Sequence, residues 1–151
     1  MPRITRPSSF QPSGQPLPSN GKIILIAEDD PFISRMYETK LTGAGYTVVL
    51  KNNGRDAYEE IKKNPPDLMI LDINMPELTG LEVLSALHSD GYDFATSPAV
   101  VLTNSAEPGD RMTAEKLGAD FFVKAELTPR NVLERINAKL NVGSSGEGKG
   151  A

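Results

Sequence analysis

Three acidic residues, a hydroxyl and a lysine stand where short apolar runs of this chain end: Glu28 and Asp29 follow the first run, Asp72 the third, Thr103 the fourth and Lys124 the fifth. Three carboxylates gathered at one crevice repel one another unless a cation lies between them, and hard oxygen donors with room for water suit Mg²⁺. A nucleophilic carboxylate, a metal that bridges oxygens, a lysine that balances charge and a hydroxyl donor are together the working parts of a phosphoryl-transfer site. Each residue also has an ordinary reading. Acids ahead of a helix favour its dipole, and Asp30 is expected to be an N-cap. A lone aspartate ending a strand commonly serves a turn, Thr103 alone would satisfy a loop amide, and Lys124 alone would be a solvated charge. Placement at successive run ends is what points to one site.

The elements that must position these residues are legible. Residues 22–27, 46–50, 68–71, 99–102 and 121–123 are predicted strands. The first, third and fourth are continuously apolar, as in strands buried on both faces of a parallel sheet. Helices alternate with them. Asp30-Pro31 supplies an N-cap and a proline at the first helical position, and Gly43 and Gly45 stop that helix. Leu81, Leu84 and Leu87 mark an apolar stripe. Another helix runs from near Pro108 to Gly118. Thr128-Pro129 opens the last, with Val132, Leu133, Ile136 and Leu140 on one face. Strict alternation predicts an α/β, doubly wound, open parallel sheet, which places ligands beyond the carboxyl ends of its strands.

Composition bounds the function. A length of 151 residues suits one domain with its own hydrophobic core. A formal net charge of -4 offers no basic field for nucleic acid, so direct nucleic-acid binding is not expected. There are no cysteines and one histidine, which excludes disulfides and the usual zinc spacings. No run approaches the roughly 20 apolar residues of a membrane span, and no secretory signal is visible; a cytoplasmic protein without membrane contact is expected. Residues 1–20 carry five prolines with interspersed serines and read as a disordered tail, 21–142 as the folded domain, and 143–151 as a flexible Gly/Ser-rich tail. His88 lies away from the run ends and is assigned no role. Tyr46, Phe121 and Phe122 are expected in the core or half-buried.

Across 21–142 the chain resembles the response-regulator receiver domains of two-component signalling. The segments that carry the resemblance are IILIAEDDP, PPDLMILDINMPELTGLEVL, PAVVLTNSA and GADFFVKAEL. It implies a flavodoxin-like (βα)5 fold with strand order 2-1-3-4-5. It also implies that Asp72 is the phospho-acceptor, that Glu28, Asp29, Asp72 and the backbone carbonyl of Asn74 hold Mg²⁺, and that Thr103 bonds the phosphoryl oxygen while Lys124 pairs with the acyl phosphate. Thr103 and Phe121 stand at the switch positions, with Phe121 expected to move into space that Thr103 leaves, altering the face of the fourth helix, fifth strand and fifth helix. The implied partner is a sensor histidine kinase, docking near the first helix, or a histidine phosphotransfer protein; the chain is expected to be a stand-alone domain whose signal passes to an output protein in trans.

Two positions depart from the family pattern. Lys124 precedes Ala125 rather than proline, and because a cis bond before alanine costs about 2.5–4 kcal/mol the peptide is expected to be trans, with Lys124 aimed differently. Asn104 stands where a small residue is usual and is expected to crowd the pocket, either slowing phosphorylation or shielding the acyl phosphate from water. These departures motivate the alternative of a receiver-like interaction module that does not switch. An aspartate-nucleophile phosphatase of the haloacid dehalogenase type needs a second aspartate where this chain has Asn74. A flavodoxin-type cofactor site needs phosphate-binding amides where it has Glu28, Asp29 and Asp30.

Overall fold

A computed structural model describes residues 19–104 and 107–142; the expected tails, apart from Ser19 and Asn20, lie outside the described residues. The elements alternate strictly: β1 (Ile23–Ala27), α1 (Pro31–Gly43), β2 (Thr47–Lys51), α2 (Gly54–Lys63), β3 (Leu68–Leu71), α3 (Gly80–Ser89), β4 (Ala99–Thr103), α4 (Pro108–Lys116), β5 (Asp120–Val123) and α5 (Pro129–Leu140), with a 3₁₀ turn at Lys124–Glu126. All four strand pairings are parallel, in the order β2-β1-β3-β4-β5. This is the expected doubly wound sheet.

Helices cover both faces, and alternate residues of each central strand serve opposite cores. On one face Leu25, Met69, Leu71 and Val101 meet Ile61 of α2, Leu84 and Leu87 of α3 and Ala114 of α4. On the other, Ile24, Ile26, Ile70 and Leu102 meet Leu41 of α1 and Val132 and Ile136 of α5. β3 and β4 are buried throughout, as their uninterrupted apolar runs require, whereas the edge strand β2 is only half-buried.

Local chemistry sets the ends. The Asp30 side chain accepts from the amides of Phe32 and Ile33 with Pro31 in the first turn, as expected. Gly45, at φ 101°, takes the left-handed turn beyond α1. β2 lies one residue later than predicted. Its first residue, Thr47, registers with Ile23, while Tyr46 before it is buried and its hydroxyl donates to Oδ1 of Asn137 on α5. The start of α2, for which the sequence offered no singled-out signal, is capped by Asn53, whose side chain accepts from the Asp56 amide. α5 opens on a capping box of Thr128 and Asn131.

Candidate functional site

The carboxyl ends of β1, β3, β4 and β5 open on the same side, so the residues after them converge. The Glu28 amide donates to the Lys51 carbonyl at 3.0 Å, and the Asp72 amide donates to the Ala27 carbonyl at 3.0 Å. Both acids are therefore fixed by sheet-like hydrogen bonds continued one residue past their strands. Glu28, Asp29 and Asp72 each offer a carboxylate oxygen, and these oxygens lie within 4.8 Å of one another. Glu28 and Asp72 are buried, whereas Asp29 is exposed at the mouth.

Lys124 reaches this cluster. Its Nζ lies 2.6 Å from Oε1 of Glu28 and 3.6 Å from Oδ2 of Asp72, with 11% of the lysine side chain exposed. The lysine thus enters the site, and its shorter contact is with Glu28. Among the described residues every peptide bond is trans, Lys124–Ala125 included, and the backbone passes into the 3₁₀ turn. Oε2 of Glu28 accepts the Asp30 amide at 3.2 Å. Burial pushes the Glu28 carboxyl above its ordinary range; Lys124 opposes the shift by hydrogen bonding and charge, while the neighbouring Asp72 adds to it.

Among the described residues, Oδ1 of Asp72 is buried without a hydrogen-bond partner. An orphaned carboxylate oxygen beside two further acids fits a hard divalent cation, because one lysine cannot neutralise three carboxylates. The donor set therefore suits Mg²⁺.

Thr103 is fully buried at the end of β4 and registers with Val123 of β5. Asn104, expected to crowd the pocket, is exposed. Asn74 is exposed on the loop after β3. Phe121 is buried, its ring 4.9 Å from the Arg111 guanidinium of α4, and Nη1 of Arg111 lies 3.5 Å from the Phe121 carbonyl oxygen. His88 is exposed in the last turn of α3, away from these residues. An open groove of about 480 Å³ leads outward from Glu28 and Asp29 past Ser34 and Arg35 to Lys51 and Asp56.

Sequence reasoning missed the glycines that let the acceptor loop approach. A Cβ on Gly80 would sit 2.3 Å from the Asp72 carbonyl oxygen, so the first turn of α3 packs directly on the backbone of Asp72. Its signal was the Thr-Gly start: Thr79 caps α3 in a box with Glu82, which puts Gly80 at the point of closest approach.

The family model described as the response regulator receiver domain matches residues 24–137. The protein named Probable transcriptional regulator ycf27 of Pyropia yezoensis is 35% identical over 117 residues, covering 78% of this chain and 46% of that protein. The alkaline phosphatase synthesis transcriptional regulatory protein PhoP of Bacillus subtilis is 32% identical over 119 residues, covering 79% and 48%. The chain thus spans about half the length of the curated relatives it matches. Among solved structures, a DNA-binding response regulator of the LuxR family from Staphylococcus aureus superposes with a TM-score of 0.72 at 27% identity, covering 80% of this chain and 99% of that one.

Proposed function

Because the chain belongs to the response regulator receiver domain family, we propose that it is a phospho-acceptor in which Asp72 takes a phosphoryl group from a phosphohistidine of a partner kinase or phosphotransfer protein. The observation that carries this reading is the Asp72 carboxylate itself, buried at the end of β3 with Oδ1 unpartnered among the described residues and Oδ2 facing Lys124. An Asp72 oxygen forms a bond to phosphorus as the phosphorus–nitrogen bond of the donor breaks, and the imidazole leaves with a proton from solvent. The product is a mixed anhydride. Glu28, Asp29, Asp72 and the backbone carbonyl of Asn74 would hold Mg²⁺, which would supply charge neutralisation for the phosphoryl group. Lys124 offers its ammonium to the acyl phosphate, the Thr103 hydroxyl donates to a phosphoryl oxygen, and the groove past Arg35 admits the donor.

The aspartyl phosphate replaces one negative charge with roughly -1.5 to -2 and several strong acceptors. Thr103 and Lys124 are drawn toward it, Phe121 repacks against Thr103, and the α4–β5–α5 face carries the change to an output protein in trans. This reading involves no nucleic-acid contact by the chain's own residues and places it in the cytoplasm. Among the described residues no helix is long and apolar enough to cross a membrane. A second reading, an interaction module that does not switch, draws on the trans Lys124–Ala125 bond and on the Phe121 ring buried against Arg111.

Incubation with Mg²⁺ and acetyl phosphate is expected to add about 80 Da in a hydroxylamine-sensitive linkage to the wild type and nothing to Asp72→Asn. No adduct on the wild type, or an adduct on Asp72→Asn, refutes the acceptor. An adduct that leaves the amide chemical shifts of α4, β5 and α5 unmoved favours the second reading.

A further inference from the structure

The acceptor and the proposed metal-binding carbonyl of Asn74 both ride on residues 72–79, a stretch with no helix or strand of its own between β3 and α3. Internal hydrogen bonds fold it: the amides of Met75 and Gly80 both donate to the Ile73 carbonyl, at 3.1 and 3.2 Å, and the Leu78 amide donates to the Pro76 carbonyl at 2.8 Å. Glu77 holds a left-handed φ of 73°, which a non-glycine residue adopts only when its surroundings enforce it. One end of the loop is set by Gly80 against Asp72. The other is set from a different helix.

Gly54, the first residue of α2, donates its amide to the Pro76 carbonyl at 3.1 Å. A Cβ there would lie 2.0 Å from the Leu78 carbonyl oxygen and 2.6 Å from both the Leu78 carbonyl carbon and its Cβ. Gly54 does not have a left-handed φ, so conformational freedom is not its reason; close approach of two backbones is. Beside it Arg55 pairs with Glu77 at 3.7 Å, and at the far end of α2 Lys62 bonds Asp90 at 2.9 Å. α2 is thus fastened to the second half of the acceptor loop and to the residue that ends α3.

We infer that Gly54 is a positioning residue for the acceptor site: the N-terminus of α2 is the template against which residues 76–78 rest, and it sets the height of Asp72 and Asn74 relative to Glu28 and Asp29. This inference rests on the reading of Asp72 as acceptor. A side chain on Gly54 pushes the loop off α2, spreads the oxygen donors and weakens the metal before any group of the site is touched.

The test is Gly54→Ala, with Gly43→Ala as control because a Cβ on Gly43 meets nothing within 4 Å. Mg²⁺ alone is titrated calorimetrically, well below each variant's melting temperature, beside the rate of adduct formation from acetyl phosphate. Folded Gly54→Ala is expected to bind Mg²⁺ about tenfold more weakly, the scale on which outer supports of a metal site act, and to be phosphorylated more slowly. Gly43→Ala is expected to match the wild type. Folded Gly54→Ala with unaltered Mg²⁺ affinity overturns the inference. If Gly54→Ala does not fold, Leu78→Gly removes the Leu78 Cβ that lies against Gly54 and leaves the backbone approach in place; weakened Mg²⁺ binding supports the template and unchanged binding overturns it. Failure of the acceptor reading is distinguishable, since it appears in the wild type as the absence of adduct, and it overturns the inference too.

Discussion

Replacing Lys124 by methionine keeps much of the buried stem and removes the cation that faces Glu28 and Asp72. With an effective dielectric constant of about 20, its 2.6 Å contact to Glu28 corresponds to ~6 kcal/mol of attraction and its 3.6 Å contact to Asp72 to ~5 kcal/mol. Desolvation of the lysine offsets much of that, so the net loss expected without metal is about 3–5 kcal/mol, the range for breaking a buried pair. A bound divalent cation neutralises the same carboxylates, so in saturating Mg²⁺ the loss should shrink. By linkage each 1.4 kcal/mol of shrinkage appears as about tenfold tighter Mg²⁺ binding in the variant. Urea unfolding in chelator and in excess Mg²⁺, with calorimetric titration of the metal, measures both quantities. Equal destabilisation in the two conditions, or Mg²⁺ affinity no higher than wild type, refutes the idea that lysine and metal share Glu28.

Gly80→Ala places a Cβ 2.3 Å from the Asp72 carbonyl oxygen and is expected to destabilise by about 1–3 kcal/mol and depress adduct yield, as read by urea unfolding and mass spectrometry. Gly109→Ala, with open space around its Cβ, should be neutral or stabilise by up to about 1 kcal/mol in the same assays. Asp29→Ala, at an exposed position, should leave stability within about 0.5 kcal/mol in chelator yet abolish most Mg²⁺ binding; an unchanged titration counts against the metal site. Tyr46→Phe leaves Asn137 without its donor and should cost about 1–2 kcal/mol. Burial raises the Tyr46 phenol from 10.0 to about 12, so the unfolded chain loses that proton first, and stability falls as pH rises between those values. Urea midpoints collected across that window should decline less in Tyr46→Phe.

What the sequence made legible was whatever local pattern controls. The uninterrupted apolar runs of β1, β3 and β4 announced burial on two faces, and once those strands are parallel neighbours their terminal residues must share a crevice. Glu28, Asp72, Thr103 and Lys124 could therefore be placed by counting. The partner Lys124 takes could not, because a flexible four-carbon stem can reach either acid, and its short contact is with Glu28. Nor could Gly54, whose constraint is a carbonyl 24 residues further along the chain at Leu78, or the brace from Tyr46 to Asn137 across 91 residues. Contacts of that kind leave no periodicity to read. At the end of β4 the fully buried position belongs to Thr103, while Asn104 beside it is exposed.

The cap and clamp at the head of α2 also bear on how the molecule ages. Asn53-Gly54 is the dipeptide in which an asparagine most readily loses its amide, through attack of the following backbone nitrogen on the side-chain carbonyl to give a succinimide. Here the Asn53 carboxamide oxygen is held by the Asp56 amide at 2.8 Å, its nitrogen lies 3.0 Å from Oδ2 of Asp56, and the Gly54 nitrogen is committed to Pro76 at 3.1 Å. The attacking and attacked atoms are each tied elsewhere, so the folded chain resists a reaction to which its unfolded form is open. Conversion of Asn53 to aspartate or isoaspartate in stored protein would accordingly record how often the N-terminus of α2 lets go of the acceptor loop, a slow chemical clock for local opening.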